Sequence, residues 1–161
     1  MKAADETWAG YEAVVRRYGN RVIKRYLPLY FEHNRVYRRR HERFWLRNFR
    51  SPCWPMPIAS SDKHLELQYL GNPIGRRKYQ VRQRHRTPEF VEWLNQLEAQ
   101  LSLFTLSHCD IHSKNILWSQ QHGYQLIDFT WAQIGLNQVA PYVGAVSDTE
   151  AISRLRQEAM K

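Results

Sequence analysis

Residues 106–129 carry polar side chains between two apolar stretches, and this pattern constrains the fold more than any other part of the sequence. The residues in it that can bind a metal or move a proton are Asp110, His112, Asn115 and Asp128. Because the apolar flanks must be buried, we expect these residues to lie in a loop held rigidly at the end of a hydrophobic core. The rest of the chain has to supply that core.

The composition allows such a core. The chain has 161 residues, of which 43% are hydrophobic and 13% aromatic, so it suits one domain or one small two-lobed unit rather than a disordered chain. Its apolar runs are far shorter than the ~20 residues that cross a bilayer, and the N-terminus has no apolar signal region. We therefore expect a cytoplasmic protein. Cys53 and Cys109 form no metal-binding spacing and no disulfide framework, so free thiols are expected.

Positive charge is unevenly distributed along the chain. Lysine and arginine outnumber the acids by 24 to 15, which gives a net charge of +9. Residues 35–43 and 76–86 contain five arginines each. Such runs are commonly solvated surface, but they also suit an anionic partner, whether nucleic acid, a phosphorylated sugar or the acidic surface of the inner membrane.

The first part of the chain has the pattern of an antiparallel sheet. Residues 8–26 are rich in β-branched and aromatic residues on both sides of Gly19-Asn20, a pair that tolerates the positive φ of a tight turn. We therefore predict two strands joined by a hairpin. In the second strand Val22, Lys24 and Tyr26 would share one face, so that Lys24 is a charged residue in mid-strand.

A helix and two further strands are predicted next. The stretch after Pro28, up to Phe49, contains neither glycine nor proline and has apolar residues at roughly helical spacing, which predicts a helix that ends before Ser51-Pro52. Short strands are expected near residues 56–59 and 64–70. The turn residues of 71–73 predict a linker at the end of the sheet.

Helical signals are clearest in the second half. Thr87-Pro88-Glu89 combines an N-cap hydroxyl, a first-turn proline and an acid that suits the helix dipole. The apolar stripe that follows consists of Phe90, Leu94, Leu97, Leu101 and Phe104. A final helix is predicted over residues 148–160, with Ser147 and Glu150 as a capping box.

The polar loop offers the residue types that phosphoryl transfer needs. In that reaction an acid near the attacking hydroxyl orients it and accepts its proton, while an amide and a second acid hold Mg²⁺ on the nucleotide phosphates. Asp110, Asn115 and Asp128 provide these groups in that order. Any one of them could instead satisfy loop backbone, as short polar side chains often do, but the ordered set favours the catalytic interpretation.

The motif His108-x-Asp110-x-x-x-x-Asn115, followed by Ile116-Leu117-Trp118 and Ile127-Asp128-Phe129, resembles the catalytic and metal-binding loops of the protein-kinase-like superfamily. It is more similar to the compact members, namely aminoglycoside and choline kinases, Rio-type kinases and lipopolysaccharide-core kinases, than to ordinary protein kinases. The resemblance implies a minimal two-lobed α+β fold. Residues 1–71 would form an N-lobe with a small antiparallel sheet and one helix, and residues 72–161 a reduced, mainly helical C-lobe.

The same resemblance implies an ATP- and Mg²⁺-dependent kinase and a role for each matching residue. Asp110 would be the base, His112 would contact the transferred phosphate, and Lys24 would bind the nucleotide phosphates while Glu42 orients it. The nucleotide-binding positions implied are Gly10, Ala13, Val15, Lys24, Tyr69 and Leu70. The implied metal ligands are Asn115 and Asp128.

Departures from the family pattern bear on the acceptor more than on the nucleotide chemistry. Thr130 replaces the usual glycine after Asp128-Phe129, Cys109 replaces the usual arginine or glycine, and no Ala-Pro-Glu segment follows. Too few residues follow Asp128 for the helices that hold peptide substrates in large kinases. The small lower lobe, His112 and the arginine runs together favour an anionic glycan, such as a lipopolysaccharide core sugar, as the acceptor.

Two alternatives stay open at this point. One is a small protein Ser/Thr kinase. The other is a pseudokinase or basic binding module that uses its arginines on a membrane surface or on nucleic acid, of which nucleic acid is the less favoured partner.

Overall fold

The computed structural model describes residues 3–9, 13–27, 42–61 and 63–161. Within these ranges the larger sheet is antiparallel and has five strands in the order β1-β2-β3-β5-β4. The strands are β1 (Glu6–Ala9), β2 (Ala13–Tyr18), β3 (Arg21–Tyr26), β4 (Ala59–Ser60) and β5 (His64–Gln68). β2 and β3 meet at Gly19, whose φ is +60°, so the predicted hairpin is confirmed.

The first helix, α1, packs its apolar residues against this sheet. It is helical over residues 42–48 of the described chain, and Trp45 and Leu46 on it are buried. Residues 28–41 of the predicted helix lie outside the described residues, as do Gly10 and most of the first arginine run. β4 begins later than predicted because Pro57 has no amide hydrogen to donate, and pairing with β5 starts only at Ile58, whose amide donates to Glu66 O at 2.8 Å.

The expectation of a linker at residues 71–73 is wrong. Asn72–Pro73 forms β6, which pairs with β8 (Ile116–Ser119), and β8 in turn pairs with β9 (Gly123–Leu126). Gly71 permits this pairing because its φ is +97° and a Cβ there would lie 1.9 Å from Trp118 O. The chain is therefore fixed against the second sheet where a free connection was expected.

Two helices and a short ladder complete the second half. α2 spans Pro88–Leu103, α3 spans Asp148–Ala159, and β7 (Leu106–Ser107) pairs with β10 (Gln133–Ile134). Both predicted N-caps are confirmed. The Thr87 hydroxyl accepts a hydrogen bond from Phe90 N, and the Ser147 hydroxyl accepts one from Glu150 N, both at 3.3 Å.

One hydrophobic core joins these elements. α2 buries Phe90, Trp93, Leu94, Leu97 and Leu101. α3 contributes Ala151, Ile152 and Leu155, and its Arg156 donates to Glu98 on α2 at 2.6 Å. Cys53 and Cys109 are buried free thiols, as predicted. The α+β fold with its small antiparallel sheet is confirmed, and none of the helices described is both long and apolar enough to cross a membrane.

Candidate active site

A lysine held between two carboxylates lies where the large sheet meets the polar loop. Lys24 Nζ lies 2.9 Å from Glu42 Oε2 and 2.9 Å from Asp128 Oδ1. Tyr26 Oη also donates to Glu42 Oε2, at 2.7 Å. Lys24 and Tyr26 reach the same carboxylate because the period of two along β3 puts them on one face, as the sequence pattern predicts.

Burial and charge together set the ionisation of this group. Burial disfavours the ammonium, but the Asp128 and Glu42 carboxylates outweigh that effect and raise the pKa of Lys24 above its ordinary value. Burial also raises the pKa of Glu42 against the opposing charge of Lys24. For Asp128 the opposite holds, because the Lys24 charge and the Thr130 hydrogen bond overcome burial and lower its pKa to about 2. Lys24 and Asp128 are therefore both charged at neutral pH.

Backbone geometry directs the Asp128 side chain toward Lys24. It follows β9 and has φ +68°, a left-handed conformation in which an aspartate is tolerated better than most residues. Thr130 Oγ1 donates to Asp128 Oδ1 at 2.5 Å, so the threonine that stands in place of the usual glycine fixes the carboxylate. The Asp128 side chain keeps 39% of its surface exposed and faces solvent on its remaining side.

The second half of the site surrounds Asp110. Asn115 Nδ2 donates to Asp110 Oδ2 at 3.1 Å, and His112 Nε2 lies 3.5 Å from the same oxygen. Tyr142 Oη donates to the other oxygen, Oδ1, at 2.5 Å. Burial acts to raise the pKa of Asp110, but the contacts from His112 and Tyr142 prevail and lower it, so that the carboxylate is ionised at neutral pH.

His108 joins the two halves. Its Nε2–H donates to Ile127 O at 3.0 Å, and its Nδ1 accepts from Asp110 N at 3.3 Å, which is the pattern of a neutral imidazole. Burial lowers the pKa of His108 to about 4, so the ring is neutral at pH 7. Because Ile127 precedes Asp128, this ring sets the spacing between the Asp110 loop and the Asp128 loop.

Asp148, at the start of α3, fixes the backbone of the Asp110 loop. Its carboxylate accepts hydrogen bonds from His108 N at 2.5 Å and from Cys109 N at 2.9 Å. Cys109 has φ +66°, a conformation that costs an ordinary residue about 1–2 kcal/mol. Two charge-assisted hydrogen bonds to the buried Asp148 carboxylate offset this conformational cost and stabilise the turn.

Two oxygen atoms of the site are free to bind a cation. Asp128 Oδ2 and Asn115 Oδ1 accept no hydrogen bond from any residue that the structure describes. Carboxylate and amide oxygens are ligands that Mg²⁺ accepts, and this ion needs only one or two of them when phosphate oxygens and water complete its shell. The described ranges contain no cluster of three His, Cys, Asp or Glu side chains, which excludes there a cation cage made from such residues alone. The residues present fit Mg²⁺ held together with a nucleotide.

Part of the chain is similar to a known enzyme family. Residues 57–136 match the profile of the APH phosphotransferase enzyme family. The APH family is part of the protein-kinase-like superfamily, and the matched residues include Asp110, His112, Asn115 and Asp128. Lys24 and Glu42 lie outside the matched residues and are joined to the domain through the Lys24–Asp128 ion pair. No curated protein sequence matches the chain significantly.

The predicted nucleotide-binding residues that the structure describes lie on strands of the large sheet or just after β5. Val15 is paired with Lys24 across the β2–β3 hairpin, and Ala13 is buried opposite Tyr26. Tyr69 and Leu70 follow β5, where the Tyr69 ring contacts the Arg17 guanidinium at 3.8 Å. Gly10 lies outside the described residues.

Sequence reasoning did not find three residues that contact the candidate site. Asp148 was not recognised because an acid is common in the first turn of a helix, and it therefore gave no sign of a contact with the Asp110 loop. Tyr142 lies in a loop without periodicity, 32 residues from its partner Asp110. Thr130 was noted only as a departure from the family pattern, although its distance of two residues from Asp128 is the spacing at which short hydroxyl side chains commonly contact a neighbour.

Proposed function

We propose that the protein transfers the γ-phosphate of ATP to a hydroxyl group of an anionic glycan, such as a lipopolysaccharide core sugar. The observation that carries this proposal is the Lys24 ammonium, held 2.9 Å from the Glu42 and Asp128 carboxylates beside the Asp110 loop. A cation fixed in this position suits the nucleotide phosphates, and the phosphotransferase match of residues 57–136 supports the same chemistry.

The large sheet is the proposed nucleotide site. Lys24 contacts the phosphates and Glu42 orients it, while Ala13 and Val15 border the nucleotide from β2. At the end of β5, the backbone amide and carbonyl of Leu70 form no hydrogen bond with any described residue, so they remain available to the edge of an adenine ring. Tyr69 borders the same position.

Asn115 and Asp128 are the proposed Mg²⁺ ligands, through the two oxygens that accept no hydrogen bond from any described residue. When bound, the ion neutralises negative charge on the nucleotide phosphates. Asp110, ionised and anchored by Asn115, orients the acceptor hydroxyl and receives its proton. His112 lies beside Asp110 and would contact the transferred phosphate.

The second arginine run supports an anionic acceptor because it is anchored to the catalytic loop. Ser113 Oγ donates to Arg77 O at 2.5 Å, and Ser113 N donates to Lys78 O at 2.9 Å. Gly75 allows this close approach, since a Cβ there would lie 2.2 Å from Ser113 Oγ. Arg76 and Arg77 themselves are exposed. Two guanidinium groups that pair with no acid among the described residues are thus carried on a segment bonded to the catalytic loop, where we expect them to attract a phosphorylated or carboxylated sugar. The same charge would allow peripheral contact with acidic headgroups at the inner membrane from the cytoplasmic side.

The test uses labelled ATP with a lipopolysaccharide core oligosaccharide and, separately, with a generic protein substrate. We expect the label on the oligosaccharide and no transfer by Asp110→Asn, which preserves the shape of the side chain. Arg76→Ser/Arg77→Ser should raise KM for the oligosaccharide without changing KM for ATP. The matched variant Arg47→Ser/Arg50→Ser also removes two exposed arginines but lies outside this segment, and it should leave both values unchanged. Label found on the protein substrate alone would contradict the glycan acceptor.

A further inference from the structure

A tyrosine hydroxyl occupies the position at Asp110 that an acceptor hydroxyl needs. Tyr142 Oη donates to Asp110 Oδ1 at 2.5 Å, while Oδ2 is already bound by Asn115 Nδ2 and faces His112. Among the described residues, Tyr142 supplies the single hydroxyl that contacts this carboxylate. Any other acceptor would have to displace it.

The loop around Tyr142 holds the ring at the site and leaves its neighbours exposed. Tyr142 lies between β10 and α3, and its ring is half-buried at 5.5 Å from the Trp131 ring. Pro141, Val143 and Gly144 on either side are exposed. The phenol is therefore presented to Asp110 by packing of its ring rather than by a regular element.

A cation lies beside the same phenol oxygen. Lys78 Nζ lies 3.5 Å from Tyr142 Oη and 5.1 Å from the centre of its ring, and it also donates to Gly144 O at 3.4 Å. A phosphate on Oη would carry a charge of about −1.5 to −2 at neutral pH, which Lys78 is placed to balance. Proton acceptor, hydroxyl and counter-ion are thus all present before any substrate binds.

We propose that Tyr142 is an acceptor for the protein's own phosphotransferase site, so that the chain phosphorylates itself on this residue. The inference rests on the proposed function, because Mg·ATP is the phosphate donor. A bond forms between Tyr142 Oη and the γ-phosphorus, and the bond between that phosphorus and the β,γ-bridging oxygen breaks. The phenolic proton passes to Asp110 Oδ1, and ADP leaves with the electron pair of the broken bond.

The chemistry of the phosphorylated product limits the number of phosphates that each chain gains. The phosphorylated oxygen has no proton to donate to Asp110, and the phosphate is repelled by that carboxylate. The modified ring should therefore leave Asp110, and no second phenol takes its place in the described part of the chain. We expect one phosphate per chain.

The experiment incubates the purified full chain with Mg·ATP and no added acceptor, and follows intact mass and the modified peptide by mass spectrometry. We expect one phosphate on Tyr142, and a rate constant that does not change on tenfold dilution of the protein at a fixed Mg·ATP concentration, since the phosphotransferase site and the acceptor belong to one chain. Tyr142→Phe keeps the ring but should gain no phosphate. Tyr79→Phe is the matched control, because Tyr79 also borders Lys78, at 5.8 Å from its ring, and this variant should be phosphorylated normally.

The outcomes separate this inference from the proposed function. A wild-type chain that is stabilised by Mg·ATP and labels the oligosaccharide, yet carries no phosphate on Tyr142, would overturn the inference and leave the function intact. Phosphate on Tyr142 at a rate that falls with dilution would overturn transfer within one chain. A chain that neither binds Mg·ATP nor transfers phosphate would overturn both.

Discussion

The Asp148 carboxylate accepts a hydrogen bond from the backbone amide of Cys109 at 2.9 Å, and Cys109 is held at φ +66°. A left-handed residue directly before Asp110 turns that side chain toward Asn115 and Tyr142. The helix that buries Asp148 therefore controls the direction of the proposed base, although α3 itself contributes no group to the reacting atoms.

We expect Asp148→Ala to lower both stability and turnover. The substitution leaves two buried N–H groups without an acceptor, at a cost of about 1–3 kcal/mol for each, and it frees the turn that aims Asp110. Turnover should fall by roughly 10- to 100-fold, since misplacement of a reacting group by about 1 Å has effects of that size. Urea unfolding and steady-state kinetics measure the two effects.

The control for this prediction is Glu150→Gln on the same helix. Glu150 is an exposed first-turn acid that pairs with Arg154, so its loss should change stability by less than about 0.5 kcal/mol and leave turnover unchanged. Equal losses in the two variants would mean that the charge at the helix start matters, rather than the contacts with His108 and Cys109.

The Lys24–Glu42 pair allows stability to be separated from nucleotide binding. Glu42 is only 2% exposed, so Lys24→Met leaves a buried carboxylate with less compensation and should lower the free energy of unfolding by about 3–5 kcal/mol. Lys24→Met/Glu42→Leu removes both charges and should regain most of that stability. Neither variant should be stabilised by Mg·ATP, because the phosphate-binding cation is absent from both.

Lys63→Met is the matched control, since Lys63 is exposed and directly precedes β5. Its unfolding free energy and its response to Mg·ATP should equal those of the wild type. If Lys24→Met/Glu42→Leu regained both stability and nucleotide binding, Lys24 would serve only to compensate the buried charge of Glu42 and would not bind the phosphates.

Neutral His108 makes stability depend on pH in a defined window. The pKa of His108 falls from its ordinary 6.5 to about 4 on folding, so the unfolded chain binds this proton more readily than the folded protein does. The associated stability is fully present above pH 6.5 and is lost as the pH falls through 4, amounting to about 3 kcal/mol. Burial raises the pKa of Asp148 to about 6, so Asp148 changes stability in the opposite direction over part of this range. The contribution of His108 is therefore measured as the difference between the urea-unfolding profiles of the wild type and His108→Asn from pH 7.5 to 4.

His108→Asn removes the titrating ring, so the decline in unfolding free energy between pH 6.5 and 4 should be smaller by that amount. His64→Asn serves as the control, because His64 is half-buried and its ring forms a hydrogen bond with the Ser61 hydroxyl, away from the Asp110 and Asp128 loops. An identical pH profile for His108→Asn and wild type would show that His108 does not stay neutral in the folded protein.

Local signals predicted most of the fold, and the reasons are physical. Thr87 and Ser147 cap helices through contacts three residues away, and Gly19-Asn20 forms a turn within its own hairpin, so each signal is complete within a few residues of sequence. β6 was missed because a strand of two residues has no periodicity. Its pairing depends on Gly71 and Trp118, which lie far apart in the sequence.

The candidate site divides in the same way. Lys24 was predictable as a charge in mid-strand that needs a partner, and the order of Asp110, Asn115 and Asp128 matches a family pattern. Asp148 and Tyr142 act on the site through contacts between loops that are distant in sequence. Neither composition nor spacing predicts these contacts, because they depend on the directions of the Cys109 backbone amide and of the Tyr142 hydroxyl.

The Mg²⁺ dependence of ATP binding separates an active nucleotide site from a fold that has lost it. At a concentration a hundred times its dissociation constant, a ligand stabilises the folded protein by about 2.7 kcal/mol, which raises the Tm by several degrees. We expect Mg·ATP to produce this shift in the wild type and not in Asp128→Ala, whose free metal-binding oxygen is removed. ATP without Mg²⁺ should raise the Tm of the wild type much less, because the phosphates are then repelled by the Asp128 carboxylate with no metal ion between them. An unchanged Tm in the wild type at millimolar Mg·ATP would instead favour a pseudokinase or basic binding module, and the exposed surface around Arg76 and Arg77 would then be the place to look for its partner.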